Sequence, residues 1–90
     1  MQEPEEAIAL AERAVETFAY LDIPHRALTD LLKASPELGD PVKTLLDWAQ
    51  AREGEARLEV LLEAFELLEE REEHSRATEI LEEAIACAPE

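Results

Sequence analysis

Apolar residues recur along this chain at spacings of three and four, the signature of helices with one buried face. After Pro4, Ile8, Ala11, Val15 and Phe18 form one stripe, widened by Ala7, Leu10, Ala14 and Leu21. The pattern predicts a first helix over 5–20. It is opened by a proline that suits the first turn, with Glu5 and Glu6 near the positive end of the helix dipole. The helix is expected to stop at "LDIPH", where Pro24 lacks an N–H and disfavours helical geometry at Ile23. A second helix, 25–34, carries Ala27, Leu28, Leu31 and Leu32 on one face and Arg26, Thr29, Asp30 and Lys33 on the other.

"SPELGDP" then breaks the pattern. Ser35 before Pro36 suits the cap of one short turn, and Asp40 before Pro41 is the clearest helix start in the chain, an N-cap acceptor followed by a first-position proline. The third helix, 41–52, buries Val42, Leu45, Leu46 and Ala49, with Trp48 beside them. Gly54 is placed to end it in the left-handed conformation. A fourth helix, 55–71, shows Leu58, Leu61, Leu62, Phe65 and Leu68.

No Gly or Pro separates this stretch from the next stripe of Ala77, Ile80, Leu81, Ala84, Ile85 and Ala88, so a single helix from 55 to 88 is one reading. Phase opposes it: in a continuous helix the two stripes point roughly 130° apart and no one core buries both. A break inside "EEREEHSRA", with Ser75 as N-cap, gives a fifth helix over 75–88 that Pro89 ends. Five amphipathic helices on short connections predict an all-α domain over residues 1–90, built from antiparallel α-hairpins, either repeat-like or a compact helical bundle. Ala77 and Ala84, with Leu81 between them, invite close approach of the preceding helix.

Composition agrees with helix: Ala, Glu and Leu dominate, with two Gly and 4% aromatic residues in 90. Charge changes the picture of partners. With 23 acidic and 8 Lys and Arg residues the formal net charge is -15, which repels nucleic acid and anionic membrane surfaces and steers basic partners. No apolar run approaches the ~18 residues needed to span a bilayer, and the acidic start lacks the positive region of a secretory signal. One cysteine, Cys87, forms no intramolecular disulfide, so the expected location is cytoplasmic.

The closing hairpin resembles a tetratricopeptide repeat. Residues 58–90 make one repeat-sized unit, with Leu61, Ala64, Phe65 and Leu68 on the first helix, Ala77, Leu81, Ala84 and Ile85 on the second, and Pro89 after it. They depart at Phe65, where the family usually has a small residue, and at Glu72, where it usually has glycine. The first hairpin, Glu5 to Pro36, agrees in Ile8, Ala11, Val15, Leu28 and Leu32 and departs at Pro24 and Leu31. Its closing proline lies 53 residues before Pro89, so there is no strict tandem period. The resemblance implies a scaffold or co-chaperone adaptor. Grooves of that family usually hold ligand termini with Lys, Arg and Asn, whereas this chain has no Asn and two Lys.

Little in the sequence points to catalysis. His25 and His74 stand at helix starts, outside any His-Glu-x-x-His or Glu-x-x-His pattern, and are read as exposed turn residues; Glu70 lies four before His74. Cys87 has no histidine near it in sequence and reads as a small packing residue. Ser35 and Ser75 are explained by capping, and there is no Gly-rich phosphate loop. We therefore expect no catalytic residue, cofactor or metal site. Trp48 reads as half-buried core or as an interface anchor. With Phe18, Tyr20 and Leu67 it makes up the candidate partner-binding set, because large aromatic residues concentrate binding energy. The expected function is a protein–protein interaction module that presents an acidic-rimmed groove to a peptide or helix of a partner. The alternatives are a homodimer that covers Leu10, Val60 and Leu67, which lie off the main stripes, and a designed helical binder.

Overall fold

Two α-hairpins form because each pair of helices has one apolar stripe and a connection too short for anything but an antiparallel return. A computed structural model describes residues 3–87. Among these it shows five α-helices and one 3₁₀ turn: α1 Pro4–Thr17, α2 Asp22–Ala34, the turn Pro36–Leu38, α3 Pro41–Gln50, α4 Gly54–Glu70 and α5 His74–Cys87. The protein is all-α. The chain divides into two compact units, Met1–Thr44 and Leu45–Glu90, with α3 running across the division.

In the first unit α1 packs on α2. Ile8 and Ala11 from α1 and Leu28 and Leu32 from α2 form the buried cluster, with Val15 and Leu31 against it. Full burial of each large aliphatic side chain contributes about 1.5–3 kcal/mol. Pro4 is first in α1 as expected, and the Glu3 carbonyl accepts the N–H groups of Glu6 and Ala7. The helix ends at Thr17, three residues earlier than its stripe suggests, so Phe18 lies outside it.

Pro24 does not stop α1; it sits buried in the first turn of α2, which begins at Asp22. In a first turn the missing N–H has no intrahelical acceptor and the ring meets no helical carbonyl four residues back. After α2 the 3₁₀ turn is closed by Leu38 N–H donating to the Ser35 carbonyl at 3.0 Å, and the Ser35 side chain makes no cap. The chain passes close to α2 at Gly39, where a Cβ would come 2.9 Å from Leu32 Cδ2.

Asp40 caps α3 as its sequence indicates: the Val42 N–H donates to Asp40 Oδ1 at 2.9 Å. The helix stops at Gln50, with Ala51 and Arg52 N–H groups donating three residues back to Trp48 and Ala49. Gly54 does adopt a left-handed φ of 59°, but at the head of α4, four residues past the end of α3. The end of α3 is held instead by Arg57 of α4. Its Nε donates to the Ala49 oxygen at 2.9 Å and its Nη2 to the Gln50 oxygen at 3.4 Å.

In the second unit α4 packs on α5, and the break between them falls at Arg71–Glu73. Ser75 is not the N-cap; α5 begins at His74, and Glu73 takes the cap position, its carbonyl accepting the Ala77 N–H at 3.0 Å. The buried residues of α4 are Val60, Leu61, Ala64 and Leu68, and those of α5 are Ala77, Ile80 and Ala84. Leu58 and Phe65 are only half-buried and Leu62 is exposed, so the buried arc of α4 is turned from the expected stripe toward Val60 and Ala64. The alanines on both helices explain the turn, because small residues let two backbones approach. Ala88 and Pro89, expected to close this helix, lie outside the described residues.

Candidate interaction surfaces

The connection between α1 and α2 is four residues long and places large apolar side chains in water. Phe18 closes the last turn of α1, its N–H donating to the Ala14 carbonyl at 2.8 Å, and the Leu21 N–H returns to the Phe18 carbonyl at 2.9 Å. Extended backbone at Leu21 then leads into α2. The turn is tied down from beneath by His25. Only 2% exposed, it brings Nε2 to 2.8 Å from the Ala19 carbonyl oxygen. Since a carbonyl only accepts, Nε2 carries the proton in this contact.

On this turn the Phe18 and Tyr20 rings meet edge to face, centroids 6.5 Å apart and planes at 71°, an arrangement that aromatic quadrupoles favour. Tyr20 is 72% exposed and Ile23 81%, and Phe18 and Leu21 are exposed as well. Two of the four sequence-nominated binding residues, Phe18 and Tyr20, thus come together. Trp48 does not join the exposed set: it is 5% exposed on α3. Leu67 is half-buried on α4. Ile23 carries no signal in the sequence beyond its place before a proline. His25, expected in an exposed turn because it stands at a helix start, is buried.

The second unit holds a cleft that the sequence did not reveal. Its volume is about 320 Å³, and it is lined by Leu46, Ala49, Gln50, Arg57, Leu61, Ile80, Glu83, Ala86 and Cys87. The end of α3, the first half of α4 and the last turns of α5 supply these residues, which are up to 41 positions apart in sequence. Cys87 is half-buried on its wall. Val60, which lies off the expected stripe of α4, is buried.

No family model, curated protein or solved structure matches this chain.

A further set of polar contacts surrounds the α4–α5 turn. His74 is exposed, as expected, and pairs with the Glu69 carboxylate instead of that of Glu70; Arg76 pairs with Glu73 at 3.2 Å, and the Thr78 hydroxyl donates to the His74 carbonyl at 2.9 Å. These contacts gather around the α4–α5 turn and fix its exposed side. Among the described residues no group of three His, Cys, Asp or Glu side chains is arranged to hold a metal ion, and no helix is long and apolar enough to cross a membrane.

Proposed function

We propose that this chain is a non-catalytic, cytoplasmic protein–protein interaction module, an adaptor whose helical hairpins offer apolar surfaces with acidic surroundings to a partner protein or peptide. The observation that carries the reading is the turn Phe18–Ile23. A contiguous run with four large exposed apolar side chains is costly to leave in water unless another surface covers it, and aromatic residues on a fixed backbone are the usual anchors of interfaces. The net charge of -15 supports a basic partner and disfavours nucleic acid. The α4–α5 hairpin, with Ala64, Ala77 and Ala84 buried, supports a tetratricopeptide-like reading of the second unit. Self-association through the same turn is the second reading, favoured by the exposure of Leu10 and Ile23.

The test is selection of peptides on the whole chain from a displayed library, followed by binding titrations against a Tyr20→Ser/Ile23→Ser variant. Selected peptides should lose at least ten-fold in affinity on the variant, a difference of about 1.4 kcal/mol, while its thermal unfolding is unchanged. Peptides that ignore the variant overturn the assignment of the turn. A mass by light scattering that doubles with concentration in the parent chain and not in the variant places the second reading first.

A further inference from the structure

We propose that the cleft of the second unit seats an apolar side chain carried on a lysine- or arginine-rich helical segment of a partner protein. This inference rests on the interaction-module reading but concerns a different surface from the Phe18–Ile23 turn. The lining supplies the anchor site: Leu46, Leu61 and Ile80 are apolar, with Cys87 on the wall and Glu83 the acidic member. A volume of about 320 Å³ lies at the small end of ligand pockets, roughly 300–1,000 Å³. It suits one large side chain inserted from a helix, as in helix-in-groove recognition.

Charge selects the occupant. Residues 45–90 carry fourteen Asp and Glu against four Arg and no Lys, so an acidic segment meets repulsion and a basic one is drawn in. The one cation on the lining, Arg57, spends Nε and Nη2 on the carbonyls of Ala49 and Gln50, so its role is to hold the end of α3. A second copy of this chain is a poor occupant for the same electrostatic reason.

Cys87, the chain's single cysteine, makes the cleft directly testable by its rate of reaction with a maleimide dye. The probes are a short amphipathic peptide with Leu and one Phe on one face and Lys on the other, and the same peptide with Glu for Lys. The basic peptide should bind, slow Cys87 labelling about ten-fold at saturation, and weaken steeply with added salt. The acidic peptide should do neither. Glu83→Lys, and Ala86→Trp, which fills the cleft from an exposed position, should each weaken binding roughly ten-fold, whereas Glu5→Lys in α1 should not. A basic peptide that binds without protecting Cys87, or that weakens equally on Glu5→Lys and Glu83→Lys, overturns the cleft and leaves the reading of the Phe18–Ile23 turn standing. Equal binding of the acidic peptide overturns the charge selection. Cys87 labelling that saturating basic peptide leaves unaltered overturns the proposal outright.

Discussion

The Glu73 N–H donates to the Leu68 carbonyl at 2.9 Å, while the Glu72 N–H donates to the Glu69 carbonyl at 3.0 Å. Together these bonds close α4 in the paired manner of a Schellman motif. The motif requires a left-handed residue, and Glu72 takes that role at φ 60°. Left-handed backbone costs a residue with a Cβ about 1–2 kcal/mol, and glycine gives back about 0.5–1 through its larger unfolded-state freedom. Glu72→Gly should therefore stabilise the protein by about 0.5–1 kcal/mol, a rise of a few degrees in Tm. A fall in Tm would mean that Glu72 makes side-chain contributions larger than its backbone strain.

Gly54 supplies the opposite sign at the other left-handed position. Nothing lies within 4 Å of a Cβ built there, and φ is 59°, so Gly54→Ala meets only the backbone term. It should lower stability by about 1 kcal/mol, measured by urea unfolding. An unchanged midpoint would show that the α3–α4 connection relaxes to another conformation without loss.

These two turns also show which parts of the fold were legible in the sequence. The break between α4 and α5 could be read, because helical phase makes two stripes incompatible whatever residues lie between them. Its chemistry was legible only through the resemblance, which sets Glu72 where the repeat usually has glycine; the residue type itself gives no sign of the left-handed backbone it adopts. Asp40 and Pro41 were legible because capping is local. Pro24 misled because the same residue ends a helix or begins one, and only the place where α1 stops decides which. The buried arc of α4 was obscured by apolar residues on nearly all its sides, from Leu58 through Leu68, and was decided by Ala77 and Ala84 on another helix. Half of the exposed set at the first turn, Phe18 and Tyr20, was found from residue type. The cleft was not, because its walls come from three helices that no local pattern connects.

Asp40 tests the local part of that reading. Its carboxylate accepts from the Val42 N–H, so Asp40→Ala should cost about 1 kcal/mol, while Asp40→Asn keeps an acceptor and should cost much less. Equal losses for the two variants in thermal unfolding would assign the effect to charge instead of to the hydrogen bond.

Thr29 is fully buried on α2, and its hydroxyl has no hydrogen-bond partner among the described residues. A buried hydroxyl without a partner costs roughly 1–3 kcal/mol. Thr29→Val keeps the shape and removes the hydroxyl, and should stabilise by about 1 kcal/mol, whereas Thr29→Ser keeps the hydroxyl, opens a methyl-sized void and should destabilise by a similar amount. A destabilising Thr29→Val in urea unfolding would show that the hydroxyl is satisfied in solution.

His25 links the core of the first unit to the surface proposed to bind. Its bond to the Ala19 carbonyl comes from the ε nitrogen, so the replacement that matters is one with a donor at the same reach. Glutamine places its amide nitrogen near that position; asparagine stops about one bond short. His25→Asn should leave the carbonyl without its donor and lose about 1–3 kcal/mol, with His25→Gln losing less. The turn should follow the same order: amide exchange at Tyr20 and Leu21 should accelerate in His25→Asn more than in His25→Gln, and peptides that need Tyr20 and Ile23 should bind the asparagine variant more weakly. Stability that falls in this order with peptide affinity unchanged would separate the histidine's structural role from the turn's recognition role. The reverse order of the two variants would mean that shape, and not the ε-nitrogen donor, is what His25 supplies.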